Sequence, residues 1–228
     1  MARLTWHGHA TFTLVTDGGT RILFDPFLDD NPVADIRARD IEQLDYILCS
    51  HGHSDHFSDA VALAKRTGAT VVGTFELVAF AQSKGVRHAH GMNIGGGHRF
   101  DFGYLKLVPA LHSGTVDGDD EGRYTSTPAG FWIDLGAQRL YHAGDTALIA
   151  DMQLLRGRVD IALLPIGDNF TMGPEDAARA IEFIEPRVVI PMHYNTWDLI
   201  RQDPEAFRER VGSRAEVVVL TPGASYDF

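Results

Sequence analysis

Two stretches of the chain spell the same order of elements, and neither is long enough to bury a core alone. The first opens with β-rich runs at Thr11–Val15 and Ile22–Asp25, on either side of an Asp17-Gly18-Gly19 turn. Tyr46–Cys49 follows as an apolar strand, and Ser58–Arg66 reads as a helix closed by Gly68. Ala69–Gly73 is a further strand, and Thr74 caps a helix that runs to Lys84 and stops at Gly85. After Gly95-Gly96-Gly97 the order repeats. Tyr104–Val108 alternates, and Phe131–Leu135 joins Arg139–Tyr141 through a Gly136-Ala137 turn. Ile161–Leu164, Val188–Ile190 and Val217–Leu220 are strands of the buried type. Between them Pro174 opens one helix, with Ala177, Ile181 and Ile184 on one face, and Glu205–Val211 forms another. Halves of this size must share a core, which favours two sheets packed face to face with helices outside. The expectation is an α/β protein, a single four-layer domain over residues 1–228.

Hydrophobic residues at 44% and charged residues at 22% suit a globular core of this kind. Against 20 Lys and Arg stand 31 Asp and Glu, a formal charge of −11 that repels phosphate backbones and argues against nucleic-acid partners. No window reaches the roughly 18 apolar residues of a membrane span, and the first residues lack a signal-peptide core. A cytoplasmic protein without a membrane partner is therefore expected. The single cysteine, Cys49, ends an apolar strand and reads as a packing thiol.

Directly after that strand comes His51-Gly52-His53-Ser54-Asp55-His56, which sets four potential metal ligands within six residues. A short loop between a buried strand and a helix start can turn such side chains toward one point. Gly52 is expected to relieve crowding between the imidazoles. Imidazole and carboxylate suit zinc, iron or manganese. The bland alternative is a solvated histidine run, and the apolar strand on one side with a helix start on the other argues against it.

HGHSDH matches the HxHxDH signature of the metallo-β-lactamase superfamily, and His112 in PALHS, Asp145 in HAGDT and His193 in PMHYNT follow in that superfamily's order. GHATF, FDPF and LPIGDNFTMGPEDA also resemble its compact branch of metal-dependent hydrolases, similar to the ascorbate-6-phosphate lactonase type. The resemblance spans nearly the whole chain. It implies a four-layer αββα sandwich of two mixed β-sheets with outer helices, and a site along one sheet edge. One metal ion would take His51, His53 and His112; a second would take Asp55, His56 and His193, with Asp145 bridging. The implied cofactors are two divalent ions, Zn2+ first and Mn2+ or Fe2+ as alternatives. Asp55 and Asp145 would serve catalysis around a metal-bridging hydroxide.

Other residues are candidates for substrate contact or for support of the ligands. His9 in WHGHATF is one, with His7 weaker. Asp25 before Pro26 is another, either bonded to a ligand imidazole or a plain turn carboxylate. Asp168 and Asn169 follow Gly167 after a buried strand, a favoured place for substrate contacts. Tyr194 and Asn195 either line the pocket or support His193. His142 is expected to pack or cap, and His88, His90 and His98 to face solvent. Ser113–Pro128, polar, acidic and glycine-bearing, is either a lid or a mobile excursion. The function implied is hydrolysis of a small ester, lactone or phosphorylated metabolite, with a small-molecule partner and homo-oligomerisation left open. The runner-up is a phosphodiesterase or nuclease acting on RNA or a cyclic nucleotide, disfavoured by the charge and by the lack of a Lys/Arg-rich run. A non-catalytic metal-binding protein is the third reading; it would close the metal's coordination with protein ligands.

Overall fold

Alternating apolar residues in the β-rich runs pair into two sheets that repeat one topology. The computed structural model describes residues 1–125 and 127–228; Ser126, inside the Ser113–Pro128 segment, lies outside the described residues. In the first sheet β1 (Arg3–Trp6), β2 (Phe12–Val15) and β3 (Arg21–Phe24) are antiparallel. The sheet continues in parallel through β4 (Tyr46–Leu48), β5 (Thr70–Thr74) and β6 (Ala89–Met92). In the second, β7 (Gly97–Phe100), β8 (Gly103–Pro109), β9 (Ala129–Asp134) and β10 (Arg139–His142) are antiparallel. Parallel pairing then carries it through β11 (Ile161–Pro165), β12 (Val188–Met192) and β13 (Glu216–Val217). A last strand, β14 (Ser225–Asp227), returns to pair with β1, so each sheet has seven strands.

The register places Leu4 opposite Leu14 and Leu14 opposite Ile22, so one face of the first sheet is continuously apolar. That face packs on Leu105, Leu107, Phe131, Ile133 and Leu140 of the second sheet. Helices α1 (Ser54–Phe57), α2 (Ala60–Thr67) and α3 (Phe75–Ser83) cover the first sheet's other face, where Leu63, Leu77 and Ala81 meet Leu23, Ile47 and Val71. Helices α4 (Pro174–Ile184) and α5 (Pro204–Val211) bury Ile181, Ile184 and Phe207 against the second. Strands β11 and β12 are buried along their whole length because both of their faces are covered, which is why they read as unbroken apolar runs. The architecture is the αββα sandwich. Among the described residues no helix is long and apolar enough to cross a membrane.

Three details depart from the sequence pattern. The helix expected over Ser58–Arg66 begins only at Ala60, as α2, and is set off from the earlier α1 by Asp59. Its carboxylate accepts the backbone N–H groups of Leu28 and Asp29, so it is drawn out to pin the loop that follows β3. The final apolar run pairs only at Glu216 and Val217, as an edge strand. His88 and His98 are exposed, whereas His90 is half-buried and packs on the His98 ring at 4.3 Å. Cys49 is fully buried, and burial pushes its thiol well above the usual range.

Phe131 is fully buried between the sheets, 6.0 Å from the Phe24 ring and 6.1 Å from His142. Replacing it with alanine leaves a cavity that neither sheet can close, and chemical denaturation should show a loss of about 3–5 kcal/mol. A loss below about 1 kcal/mol would contradict a shared core.

Candidate metal centre

The loops at the C-terminal ends of the central strands converge on one edge of the sandwich. The His51–His56 loop follows β4, His112 follows β8, Asp145 follows β10 and His193 follows β12, with Asp25 after β3. Two halves of the chain thereby supply donors to one centre. The donor atoms of His51, His53 and His112 lie within 4.8 Å of one another, as do those of His9, Asp55, His56 and His193. Asp145 forms a third such group with His51 and His56, and so sits between the other two. Its Oδ2 is 3.0 Å from His193 Nε2 and 3.6 Å from His112 Nε2, and its Oδ1 is 3.2 Å from His56 Nε2.

The residues behind the donors fix which nitrogen faces the centre. Asp25 is fully buried and accepts bonds from the Ser50 N–H and hydroxyl at 2.7 Å each and from His56 Nδ1 at 2.9 Å. With its proton given to Asp25, the Ser50 oxygen accepts from His51 Nδ1 at 3.0 Å. Both imidazoles therefore turn Nε2 toward the centre. Neutral His9 donates from Nε2 to Asp55 Oδ2 at 3.1 Å, while its Nδ1 accepts from the Thr196 hydroxyl at 2.8 Å. Burial, helped by neighbouring His193, lowers the His9 pKa to about 3, which keeps the ring neutral. His142 stacks on Phe24 at 5.1 Å and donates to the Ala10 carbonyl, tying the second sheet to the His9 loop.

A cation fits this donor set. The buried atoms His56 Nε2, Asp145 Oδ1 and both nitrogens of His193 have no hydrogen-bond partner among the described residues, although they lie close together. His56 Nε2 and His193 Nε2 approach the Asp145 carboxylate at 3.2 and 3.0 Å, and polar atoms buried so close together are costly unless a positive charge is held among them. Protons answer that demand in the metal-free protein. Burial opposes charge on His56, but Asp145 and Asp25 outweigh it and hold the imidazole well above its usual range. Burial likewise opposes the Asp145 carboxylate, yet His193 and His56 hold it well below its usual range. His51, buried beside His56, is pushed down.

Backbone strain is concentrated here. Seven described non-glycine residues have positive φ, and six of them are His9, Asp25, Asp168, Asn169, His193 and Asn195; the seventh, Glu185, ends α4. Asp168 and Asn169 form a tight turn whose next residue, Phe170, reaches the cleft above the donors. Asn195 closes a second turn: its N–H donates to the Ile200 carbonyl and its side-chain oxygen accepts from Gln202 N–H. That turn carries Trp197 and Leu199 into the same cleft. Tyr194 lies behind the centre, stacked on Trp6 at 5.5 Å. Burial, with the Glu205 carboxylate nearby, raises its phenol to about 12. Gly167 has no room for a side chain, since a Cβ would sit 2.2 Å from the His193 carbonyl oxygen. His7 lies outside the donor cluster, bonded at 2.8 Å to Asp35 and to Thr13.

Within the Ser113–Pro128 segment, Thr115, Val116 and Asp117 are seated on the His51–His56 loop. Asp117 accepts the Ser54 N–H at the start of α1 and donates its own N–H to the Gly52 carbonyl. Val116 is buried with the α2–α3 core. The need for glycine at position 52 follows from this contact and not from the imidazoles: a Cβ would lie 2.8 Å from Val116 Cα and 2.9 Å from the Thr115 oxygen. Thr196, Ser50, Phe27, Phe170, Trp197 and Leu199 carry no local signal in the sequence, because hydroxyls and apolar residues in loops read as turn or core.

A family model described as a β-lactamase superfamily domain matches residues 3–193. The chain belongs to the metallo-β-lactamase superfamily. It is a metal-dependent hydrolase. Among its relatives is a UPF0173 metal-dependent hydrolase of Heliobacterium modesticaldum, 49% identical over 98% of this chain and 96% of the relative. Another, from Enterococcus faecalis, is 46% identical over 96% of this chain and 97% of its own length. The solved structure of Igni18, a metallo hydrolase from Ignicoccus hospitalis, superposes with a TM-score of 0.88 at 35% identity, covering 100% of this chain and 99% of that one.

Two outcomes follow for metal binding. Because His56 carries a proton when metal is absent, loading must displace it, and affinity should fall as pH drops. Calorimetric titration of Zn2+ into stripped protein near neutral pH, in buffers of different ionisation enthalpy, should report release of about one proton or more. Heats that do not depend on the buffer would contradict this. Gly52→Ala should push Val116 off the loop and weaken metal retention against a chelator roughly 10–100-fold; unchanged retention would show that the Thr115–Asp117 contact does not position the donors.

Proposed function

We propose that this chain hydrolyses a small ester, lactone or phosphorylated metabolite at a two-metal centre. His51, His53 and His112 would hold one cation, Asp55, His56 and His193 the other, with Asp145 shared. The observation that carries this reading is the shared position of Asp145 between two donor groups that line an open cleft. A structural site would be closed by its ligands, whereas His53, Asp55, His112, Asp145 and His193 all border space that a substrate can enter. Bound divalent cations would supply Lewis acidity, lowering the pKa of water from ~15.7 toward neutrality. Zn2+ is favoured by the imidazole-rich, thiolate-free set, and Mn2+ or Fe2+ suit it as well.

The protein's own groups orient the attack. Burial opposes the Asp55 carboxylate, but His56 and the hydrogen bond from His9 outweigh it and keep it ionised at any working pH. Turned toward the cleft, Asp55 accepts a hydrogen bond from the attacking water and aims its lone pair. His9, locked by Thr196, holds the carboxylate at that angle. A cytoplasmic location and a small-molecule partner belong to the same reading. The acid surface and the absence of Lys or Arg among the described residues lining the cleft weigh against a nuclease.

Asp55→Asn keeps the side chain's shape while removing the charge that orients water. With metal content verified, hydrolysis across a panel of esters, lactones, thioesters and phosphodiesters should fall at least ~100-fold. Turnover retained within tenfold would remove Asp55 from the mechanism.

A further inference from the structure

The floor of the cleft is polar and its walls are not. Phe27, Phe170, Trp197 and Leu199 line the same space of about 590 Å³ as His53, Asp55 and Asp145, a volume within the usual range of small-molecule sites. Three of these apolar side chains are unusually open to water, Leu199 at 62%, Phe170 at 51% and Trp197 at 40%. The turns that carry Phe170 and Trp197 hold Asp168, Asn169 and Asn195 in the left-handed region. The fold thus accepts backbone strain to keep apolar groups in solvent beside the metal ligands, an arrangement that core packing does not require.

Charge narrows the occupant further. The polar side chains of the cleft are histidines, serines and the two carboxylates of Asp55 and Asp145, and no described Lys or Arg lines it. A phosphoryl group away from the reacting bond would meet carboxylates and aromatic rings with no guanidinium or ammonium to pair with, a costly desolvation. A neutral hydrocarbon would instead displace water from Phe170, Trp197 and Leu199.

The geometry points to an ester or lactone with an uncharged, apolar acyl group as the substrate class; this rests on the hydrolase reading above and excludes the phosphorylated metabolites that reading allows. In the reaction the oxygen of water bonds to the acyl carbon and the acyl C–O bond breaks. The alkoxide leaving oxygen takes a proton from the attacking water, so an ester gives one carboxylic acid and one alcohol per water consumed, and a lactone gives one hydroxy acid. The hydrocarbon of the acyl group lies along Phe170 and Trp197.

The test uses the metal-loaded protein with p-nitrophenyl acetate, butyrate and octanoate, p-nitrophenyl phosphate, and bis-p-nitrophenyl phosphate. From acetate to octanoate kcat/KM should rise at least about tenfold, chiefly through KM, given the gain per buried methylene. Both phosphate esters should lie far below octanoate. Phe170→Ser and Trp197→Ser should flatten the acyl series to within about twofold while metal content stays at the wild-type level. Binding of the neutral, slowly cleaved amides gives a readout independent of turnover: octanamide should shift the tryptophan emission to shorter wavelength in the wild type but not in Trp197→Ser, and acetamide should shift neither. Equal rates along the acyl series, or octanamide binding no better than acetamide, would overturn the apolar assignment while leaving ester hydrolysis intact. Preference for p-nitrophenyl phosphate would overturn it as well. Octanamide bound with no ester turned over would support the apolar site and overturn the ester-hydrolysis reading beneath it.

Discussion

Asp25 is a fully buried carboxylate, and the centre is organised around the need to satisfy it. Taken out of water, such a group is tolerated only when its lone pairs are filled. The Ser50 backbone, the Ser50 hydroxyl and His56 fill them. Those bonds couple the end of β3 to the end of β4, and through Ser50 they set the ring of His51 as well. The imidazoles of His51 and His56 thus both have their Nδ1 sides tied down, leaving Nε2 turned toward the donor cluster. The positive φ of Asp25 is the local cost of turning the carboxylate inward.

The same economy recurs around the centre. His193 and His9 also sit at positive φ, and they are joined by a hydrogen bond from the His193 N–H to the His9 carbonyl. Gly167 gives the His193 carbonyl room, and Gly52 lets Val116 press the metal loop from outside. Preorganisation of this kind sets nitrogens and carboxylates facing one another, an arrangement that a bound cation would stabilise. Metal affinity and backbone strain are therefore two sides of one design. The apolar mouth belongs to it too, because the strained turns at Asp168–Asn169 and Asn195 are what hold Phe170, Trp197 and Leu199 there.

Much of this was legible in the chain. The β-then-α order of each half pointed to two facing sheets, since neither half could bury its apolar face alone. HGHSDH was legible because its donors are contiguous and follow an apolar strand. The gathering of His112, Asp145 and His193 is another matter, for nothing local in PALHS, HAGDT or PMHYNT marks a ligand, and only the resemblance in their order connected them. Strands β1, β6, β7 and β14 have little signal in the sequence because RLTW, AHGM, GHRF and SYD are only three or four residues long; their pairing comes from the neighbouring strands. Gly52 was assigned to the wrong neighbour, since sequence shows adjacency along the chain and Val116 arrives from 64 residues away.

What the sequence determined by itself is the inventory and its periodicity: the apolar faces, the turn residues, and a contiguous ligand loop at a strand end. These are local properties, set by side-chain chemistry and the repeat of strand and helix. Tertiary structure alone decided which groups meet. It brought His9 onto Asp55, placed Asp145 between two histidine groups, docked Asp117 on Ser54, and lifted two turns so that apolar residues border a charged floor. Each of those contacts joins distant segments and depends on distances of a few ångströms. Coulombic coupling, desolvation and close packing all vary steeply over that range, and the order of residues along the chain does not encode it.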